Sequence, residues 1–291
     1  MTPNDQLKVW IDGELLPKAN AKLSVYDHGL LYGDGVFEGI RIYNGRIFEA
    51  EAHARRLWDS AKAIRMNIPI TQQQLIDAIY LTAHANHFTD CYVRAVVTRG
   101  TGYLGLNPNK CPNPTVFIIT DLIEMYPREM YENGMSIITS SVIRNHANSL
   151  SPRIKSLNYL NNILAKIEAV DANVPEALML NSEGNIAECT GDNIFMVKNQ
   201  TVYTPQTSDG ILEGITRAAI LKLCQQMKIN CVEKTLQRFD FYSAEECFLT
   251  GTAAEVVAVT KLDGREIGTG KVGPVTRKLM EAFHKLVRGT L

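Results

Sequence analysis

The chain has 291 residues, 45% of them hydrophobic and 21% charged, with a formal net charge of −1. That balance describes an ordinary globular protein of one large or two smaller domains. The basic residues form no stripe for nucleic acid and no polybasic or amphipathic membrane patch. No run approaches the eighteen or so apolar residues of a membrane span, so neither nucleic acid nor membrane is an expected partner. The polar start, Met1 to Gln6, has no apolar signal core, and the expected location is the cytoplasm. Cys91, Cys111, Cys189, Cys224, Cys231 and Cys247 form no C-x-x-C pair and read as reduced, mostly buried thiols. His84 and His87 lie on a predicted helix with no Cys or carboxylate cluster nearby, so they read as helix surface, and no metal is expected.

Residues 7–11 alternate as a strand, Asp12-Gly13 signals a hairpin, and 14–16 return. Residues 25–35 read as a loop leading into a strand over 36–43, and Asn44-Gly45 turns the chain back through 46–48. Helices are predicted over 50–66 and 71–86, with Thr71 a cap, followed by strands over 92–99 and 115–120. Between 121 and 133 the pattern weakens around Pro127 and Gly134. The expected organisation is a small domain over 1–122, a connection over 123–134, and a large domain over 135–291 that carries Lys155. In the second half, strands are expected over 136–143, 177–180, 185–188, 194–197, 201–203, 231–235 and 248–250. Helices are expected over 158–170, 214–227 and 274–287. Helices and strands mix without a βαβ rhythm, so the fold class is α+β.

Lys155 stands out. It precedes a helix whose apolar residues Leu160, Ile163, Leu164, Ile167 and Val170 fall on one face, and Tyr159 follows it by four positions. An amine at the mouth of such a helix suits a residue that forms and breaks a covalent bond, although most lysines are simply surface residues. Gly100-Thr101-Gly102-Tyr103-Leu104-Gly105 matches G-x-G-x-x-G by letter. Pro108 and Pro112 forbid the helix a dinucleotide site needs, so a glycine loop with Tyr103 and Leu104 at its tip is the better reading. Anion sites are expected at Glu213-Gly214-Ile215-Thr216-Arg217, which opens a helix, and at Thr250-Gly251-Thr252-Ala253-Ala254, which follows a strand. Helix capping or a tight turn would explain each equally simply. Together with Lys155 they point to a phosphorylated cofactor, and Arg56 either adds a charged contact to it or makes a surface ion pair.

These blocks carry a resemblance. Tyr32-Gly33-Asp34-Gly35-Val36-Phe37-Glu38-Gly39-Ile40-Arg41, His53-Ala54-Arg55-Arg56-Leu57 and Tyr92-Val93-Arg94 occur in order, before Lys155-Ser156-Leu157-Asn158-Tyr159-Leu160. Glu188-Cys189-Thr190-Gly191-Asp192-Asn193-Ile194-Phe195, Gly214-Ile215-Thr216-Arg217 and Gly251-Thr252-Ala253-Ala254-Glu255 follow. Over nearly its whole length the chain resembles the branched-chain-amino-acid aminotransferases of the class IV, fold-type IV pyridoxal phosphate enzymes. The resemblance implies two α/β domains with pyridoxal 5'-phosphate between them. It implies that Lys155 carries the cofactor as a Schiff base and, once freed, moves the substrate Cα proton. Arg56, the Ile215 and Thr216 amides and the Gly251-Thr252 turn would hold the phosphate. Glu188 would keep the pyridine nitrogen protonated, and Tyr159 would reach the ring hydroxyl.

The implied reaction moves the amino group of leucine, isoleucine or valine to 2-oxoglutarate. Tyr32, Phe37 and Tyr92 would wall the substrate, Gly39 would leave it room, and Arg41 would lie nearby. Arg94 would receive a distal carboxylate, and Thr252 with Ala253 the α-carboxylate. Read without the resemblance, Phe37 and Tyr92 suit a core equally well and Arg94 a strand surface. The loop with Tyr103 and Leu104 would cross to a neighbouring subunit, which makes a homodimer the smallest unit. D-amino-acid aminotransferase and R-amine transaminase share the fold and are the near alternatives. A non-catalytic binding protein is the remote one.

Overall fold

The structure, a computed structural model, describes residues 6–290. Residues 1–5, which hold most of the polar start, and residue 291 lie outside the described residues. The chain divides into two compact units, Met1–Ile123 with Ile154–Asn158, and Glu124–Arg153 with Tyr159–Leu291.

The first unit is built on β1 (Lys8–Ile11), β2 (Glu14–Pro17), β3 (Gly35–Tyr43), β4 (Arg46–Ile47), β5 (Cys91–Thr98) and β6 (Thr115–Asp121). They form one sheet in the order β2-β1-β6-β5-β3-β4. Its helices are α1 (His28–Tyr32), α2 (Ala50–Ala63) and α3 (Gln72–Ala85). Alternation divides the long strands by face. Val36, Ile40 and Ile42 of β3, with Val93, Ala95 and Val97 of β5, join Leu57 and Ala61 of α2 and Leu75 and Ile79 of α3 in one core. Thr71 caps α3 in a capping box with Gln74, as its sequence predicts. Within the stretch read as a loop, α1 forms because the Asp27 carboxylate accepts the Gly29 amide and Gly33 ends the turn at φ +67°.

The second unit holds α4 (Arg128–Asn133), β7 (Met135–Thr139), α5 (Ala147–Leu150), α6 (Leu160–Asp171), β8 (Glu176–Leu180), β9 (Ile186–Cys189), β10 (Asn193–Lys198) and β11 (Thr201–Thr204). It continues with α7 (Ile215–Gln226), β12 (Asn230–Glu233), α8 (Arg238–Tyr242), β13 (Glu246–Gly251), β14 (Glu255–Leu262), β15 (Arg265–Glu266) and α9 (Pro274–Arg288). Its sheet runs β12-β11-β10-β13-β14-β7-β8-β9, with β15 beside β14. Glu246 of β13 accepts the Val275 and Thr276 amides at 3.0 and 2.7 Å and so caps α9 from the strand.

Four expectations change. Residues 154–158 belong with the first unit, not with the large domain. Phe37 N donates to Lys155 O and Leu157 N to Gly35 O, both at 2.9 Å, because β4 covers β3 only at Ile42 and Tyr43 and leaves its first residues an open edge. The expected connection contains a short helix, α4. The strand expected over 136–143 stops at Thr139. The sequence reading has no strand over 255–262, but β14 lies there, and Thr252 to Ala254 form the tight turn that joins it to β13. Among the described residues no helix is long and apolar enough to cross a membrane. The six cysteines are free thiols, and His84 and His87 are exposed.

Candidate active site

In the first unit β3 and β5 place Phe37 opposite Val96, Gly39 opposite Arg94 and Arg41 opposite Tyr92, so these side chains share the sheet face away from α2. The Arg94 guanidinium lies 4.4 Å from the Phe37 ring centroid and 5.6 Å from that of Tyr92. The Lys155 Nζ lies 4.7 Å from the Phe37 ring. One aromatic ring therefore meets both the candidate reactive amine and the candidate carboxylate receptor. A Cβ at Gly39 would sit 2.2 Å from the Tyr92 hydroxyl, so glycine is what lets that ring lie across the strand. Arg41 leans on the Tyr43 ring at 4.9 Å. Lys155 is fixed through its backbone, which also donates to Ser60 Oγ at 3.2 Å.

Arg56 of α2 is held by a residue the sequence reading gave no role. Its Nε donates to Glu38 Oε1 at 2.7 Å and its Nη2 to Oε2 at 2.8 Å. His53 Nδ1 lies 2.7 Å from the same Oε2. Glu38 is fully buried. Burial alone would raise its carboxyl, but the Arg56 guanidinium, with His53 adding to it, pulls it down to about 2. His53 is pushed below the usual imidazole range, first by burial and against the pull of Glu38. The neutral ring then donates from Nδ1. The signal was present in the sequence: an acid on the inward phase of an apolar strand requires a partner.

The glycine loop is anchored at its base. His28 Nε2 lies 2.9 Å from Tyr103 O, and the Gly105 amide donates to the Tyr32 hydroxyl at 3.0 Å. At Gly100, φ is +85° and a Cβ would meet Asn113 O at 1.8 Å, so that glycine closes the loop on itself rather than opening a helix. Tyr103 and Leu104 are exposed at the tip.

In the second unit Glu188 lies in β9, next to its last residue Cys189, and is buried. Arg144 Nε donates to its Oε1 at 3.0 Å, while Asn193 Nδ2 and the Leu212 amide donate to its Oε2 at 3.1 and 3.0 Å. Three donors hold it as an acceptor in one orientation. Arg144 and Asn193 are the residues that sequence reasoning left unassigned. After Gly214, α7 begins at Ile215 with no side-chain cap, so its first amides, with the buried Thr216, are disposed for an anion. Gly251, Thr252 and Ala253 sit in the partly buried β13–β14 turn, and Tyr159 directly precedes α6, also partly buried. Glu183, in the turn before β9, is exposed. Taken unit by unit, the donors are of the kinds pyridoxal phosphate needs: an amine for the aldehyde in the first, and in the second a fixed carboxylate for a ring nitrogen and uncapped helix amides for a phosphate.

The Amino-transferase class IV family model matches residues 35–262. The putative branched-chain-amino-acid aminotransferase of Methanocaldococcus jannaschii is 49% identical over 95% of both chains. The crystal structure of the Escherichia coli branched-chain amino acid aminotransferase matches with a TM-score of 0.95 at 34% identity, over 98% of this chain and 96% of that one. The T.th. branched-chain amino acid aminotransferase with pyridoxamine 5'-phosphate matches with a TM-score of 0.94 at 37% identity, over 98% and 95%. The chain belongs to the class IV aminotransferases.

Proposed function

We propose that the protein is a pyridoxal-phosphate-dependent aminotransferase that moves the amino group of branched-chain L-amino acids to 2-oxoglutarate. The observation that carries this is the β3–β5 face, where Lys155 Nζ and the Arg94 guanidinium meet the same Phe37 ring and the Tyr92 ring lies across Gly39. Apolar rings beside a cation suit a site that must take both an aliphatic side chain and the second carboxylate of glutamate. When bound, pyridoxal phosphate supplies an aldehyde that bonds to amines and a ring that takes up electrons.

This chain's residues supply the rest. Lys155 Nζ is the attachment point and then the base that takes the proton from substrate Cα. Glu188, fixed by Arg144, Asn193 and the Leu212 amide, would accept from the ring nitrogen and favour its protonated form. The Ile215 and Thr216 amides, Thr252 and Arg56 would hold the phosphate, and Glu38 keeps Arg56 in place. Tyr159 donates to the ring hydroxyl. Thr252 and Ala253 receive the α-carboxylate, and Phe37, Tyr92 and Tyr32 exclude water around the side chain. Two half-reactions on one lysine give ping-pong kinetics. Free, reduced thiols support a cytoplasmic location. The exposed tip with Tyr103 and Leu104 supports at least a homodimer.

The test is Lys155→Ala, assayed with L-leucine and with D-alanine, each with 2-oxoglutarate. Turnover with L-leucine and the visible absorbance of the lysine-linked cofactor should both vanish. Turnover retained by the variant, or a wild-type protein that prefers D-alanine, would refute the reading.

A further inference from the structure

Under this reading the Gly251-Thr252-Ala253 turn receives two anions, a phosphate and a carboxylate, yet a buried acid lies against it. Asp192 closes the turn after β9, where its carbonyl accepts the Cys189 amide at 2.8 Å. The side chain is buried, and its Oδ2 accepts the Tyr126 hydroxyl at 3.2 Å. Its Oδ1 rests on Gly251, where a Cβ would sit 1.8 Å from it. The backbone of the receiving turn therefore packs directly on this carboxyl oxygen.

The titratable groups around Asp192 come from several elements: Glu176 of β8, Lys166 of α6, Glu188 and Cys189 of β9, and Tyr126 before α4. Glu176 is tied up: its Oε1 accepts the Ala177 and Thr190 amides at 2.7 and 3.1 Å and the Thr190 hydroxyl at 2.5 Å.

We propose that Asp192 is a positioning residue, whose carboxyl group, set between the Tyr126 hydroxyl and the Gly251 backbone, holds the Gly251-Thr252-Ala253 turn in the geometry that receives the cofactor phosphate and the substrate carboxylate. This rests on the assignment of Thr252 and Ala253 above. The neutral carboxyl is the competent form. A charge on Oδ1, at the back of the turn, repels both anions through a medium that screens poorly. Burial, and then the Glu176 charge, push this carboxyl well above the usual carboxylate range, so the neutral form persists to higher pH than in an exposed aspartate.

The experiment reads KM for L-leucine and 2-oxoglutarate, and the dissociation constant of pyridoxal 5'-phosphate from the apoprotein, across the neutral range. It compares the wild type with Asp192→Asn and Tyr126→Phe. In the wild type both quantities should rise about tenfold as the pH climbs through the raised titration of this carboxyl, with kcat changing less. Asp192→Asn, isosteric and always neutral, should keep the low-pH values throughout. Tyr126→Phe loses a donor that favours the carboxylate, so the midpoint should move to higher pH. An Asp192→Asn protein that keeps the wild-type pH dependence, or that changes only in melting temperature, overturns the proposal. Should that variant not fold, an unmoved midpoint in Tyr126→Phe overturns it equally. A wild-type protein that takes up no pyridoxal phosphate at any pH overturns the function and this role together, whereas the variant results overturn this role alone.

Discussion

At the scale of single residues the informative group is Glu38. A carboxylate with no exposed surface persists because a guanidinium grips both of its oxygens and an imidazole adds a third donor. Removing the charge from such a pair costs more than a surface ion pair would return, since Arg56 is then left desolvated beside a neutral group. Glu38→Gln should lower stability by about 3 kcal/mol, measured by urea unfolding. Its dissociation constant for pyridoxal phosphate should rise about tenfold or more as Arg56 loses its orientation. The pH dependence has a definite sign. The carboxyl is held at about 2 against a usual 4.5, so its contribution is complete above the usual value and fades as the pH falls toward 2. Acid unfolding of Glu38→Gln should therefore be shallower than that of the wild type. Lys155, Arg56 and Glu188 are candidates already in the sequence, through their motif blocks. Glu38 sat inside one of those blocks without a role, because its meaning depends on which helix covers its face of β3.

At the scale of elements, α6 shows how a correct period can hide the wrong face. The spacing of Leu160, Ile163, Leu164, Ile167 and Val170 does form one stripe of a helix, but all five are exposed, from 46% at Leu164 to 66% at Leu160. The buried residues are Asn162, Ala165 and Ala169. Small side chains let α6 lie close to the sheet, and the Asn162 amide donates to Thr190 O at 2.7 Å. Periodicity identifies a stripe but not what covers it, and an apolar stripe left open suits a second copy of the chain. Two substitutions separate the faces. Ile163→Glu with Ile167→Glu should reduce the particle mass measured by light scattering. Ala165→Leu should overpack the inner face and destabilise by about 2 kcal/mol in thermal unfolding. Equal mass and equal stability in both variants would contradict this assignment of faces.

At the scale of the whole molecule, cofactor binding is coupled to folding, because a ligand that binds only the native chain stabilises it by mass action. Removing pyridoxal phosphate should lower the melting temperature, and free cofactor at about a hundredfold over its dissociation constant should restore about 3 kcal/mol. Calorimetry at several cofactor concentrations reads this as a logarithmic rise, and a melting temperature indifferent to cofactor would contradict it. By itself the sequence determined the hairpins at Asp12-Gly13 and Asn44-Gly45, the capped α3 and the start of α7, and it singled out Lys155 as the candidate reactive amine. Those features depend on backbone preferences and motifs within a few residues of one another. Tertiary structure alone decided that residues 154–158 pair with the open edge of β3, that β14 follows the turn at Thr252 to Ala254 and pairs with β13, and that Glu38 holds Arg56. It also decided that the apolar stripe of α6 faces outward. Each of these depends on a partner far away in the chain, and a local pattern carries the need for such a partner but not its address.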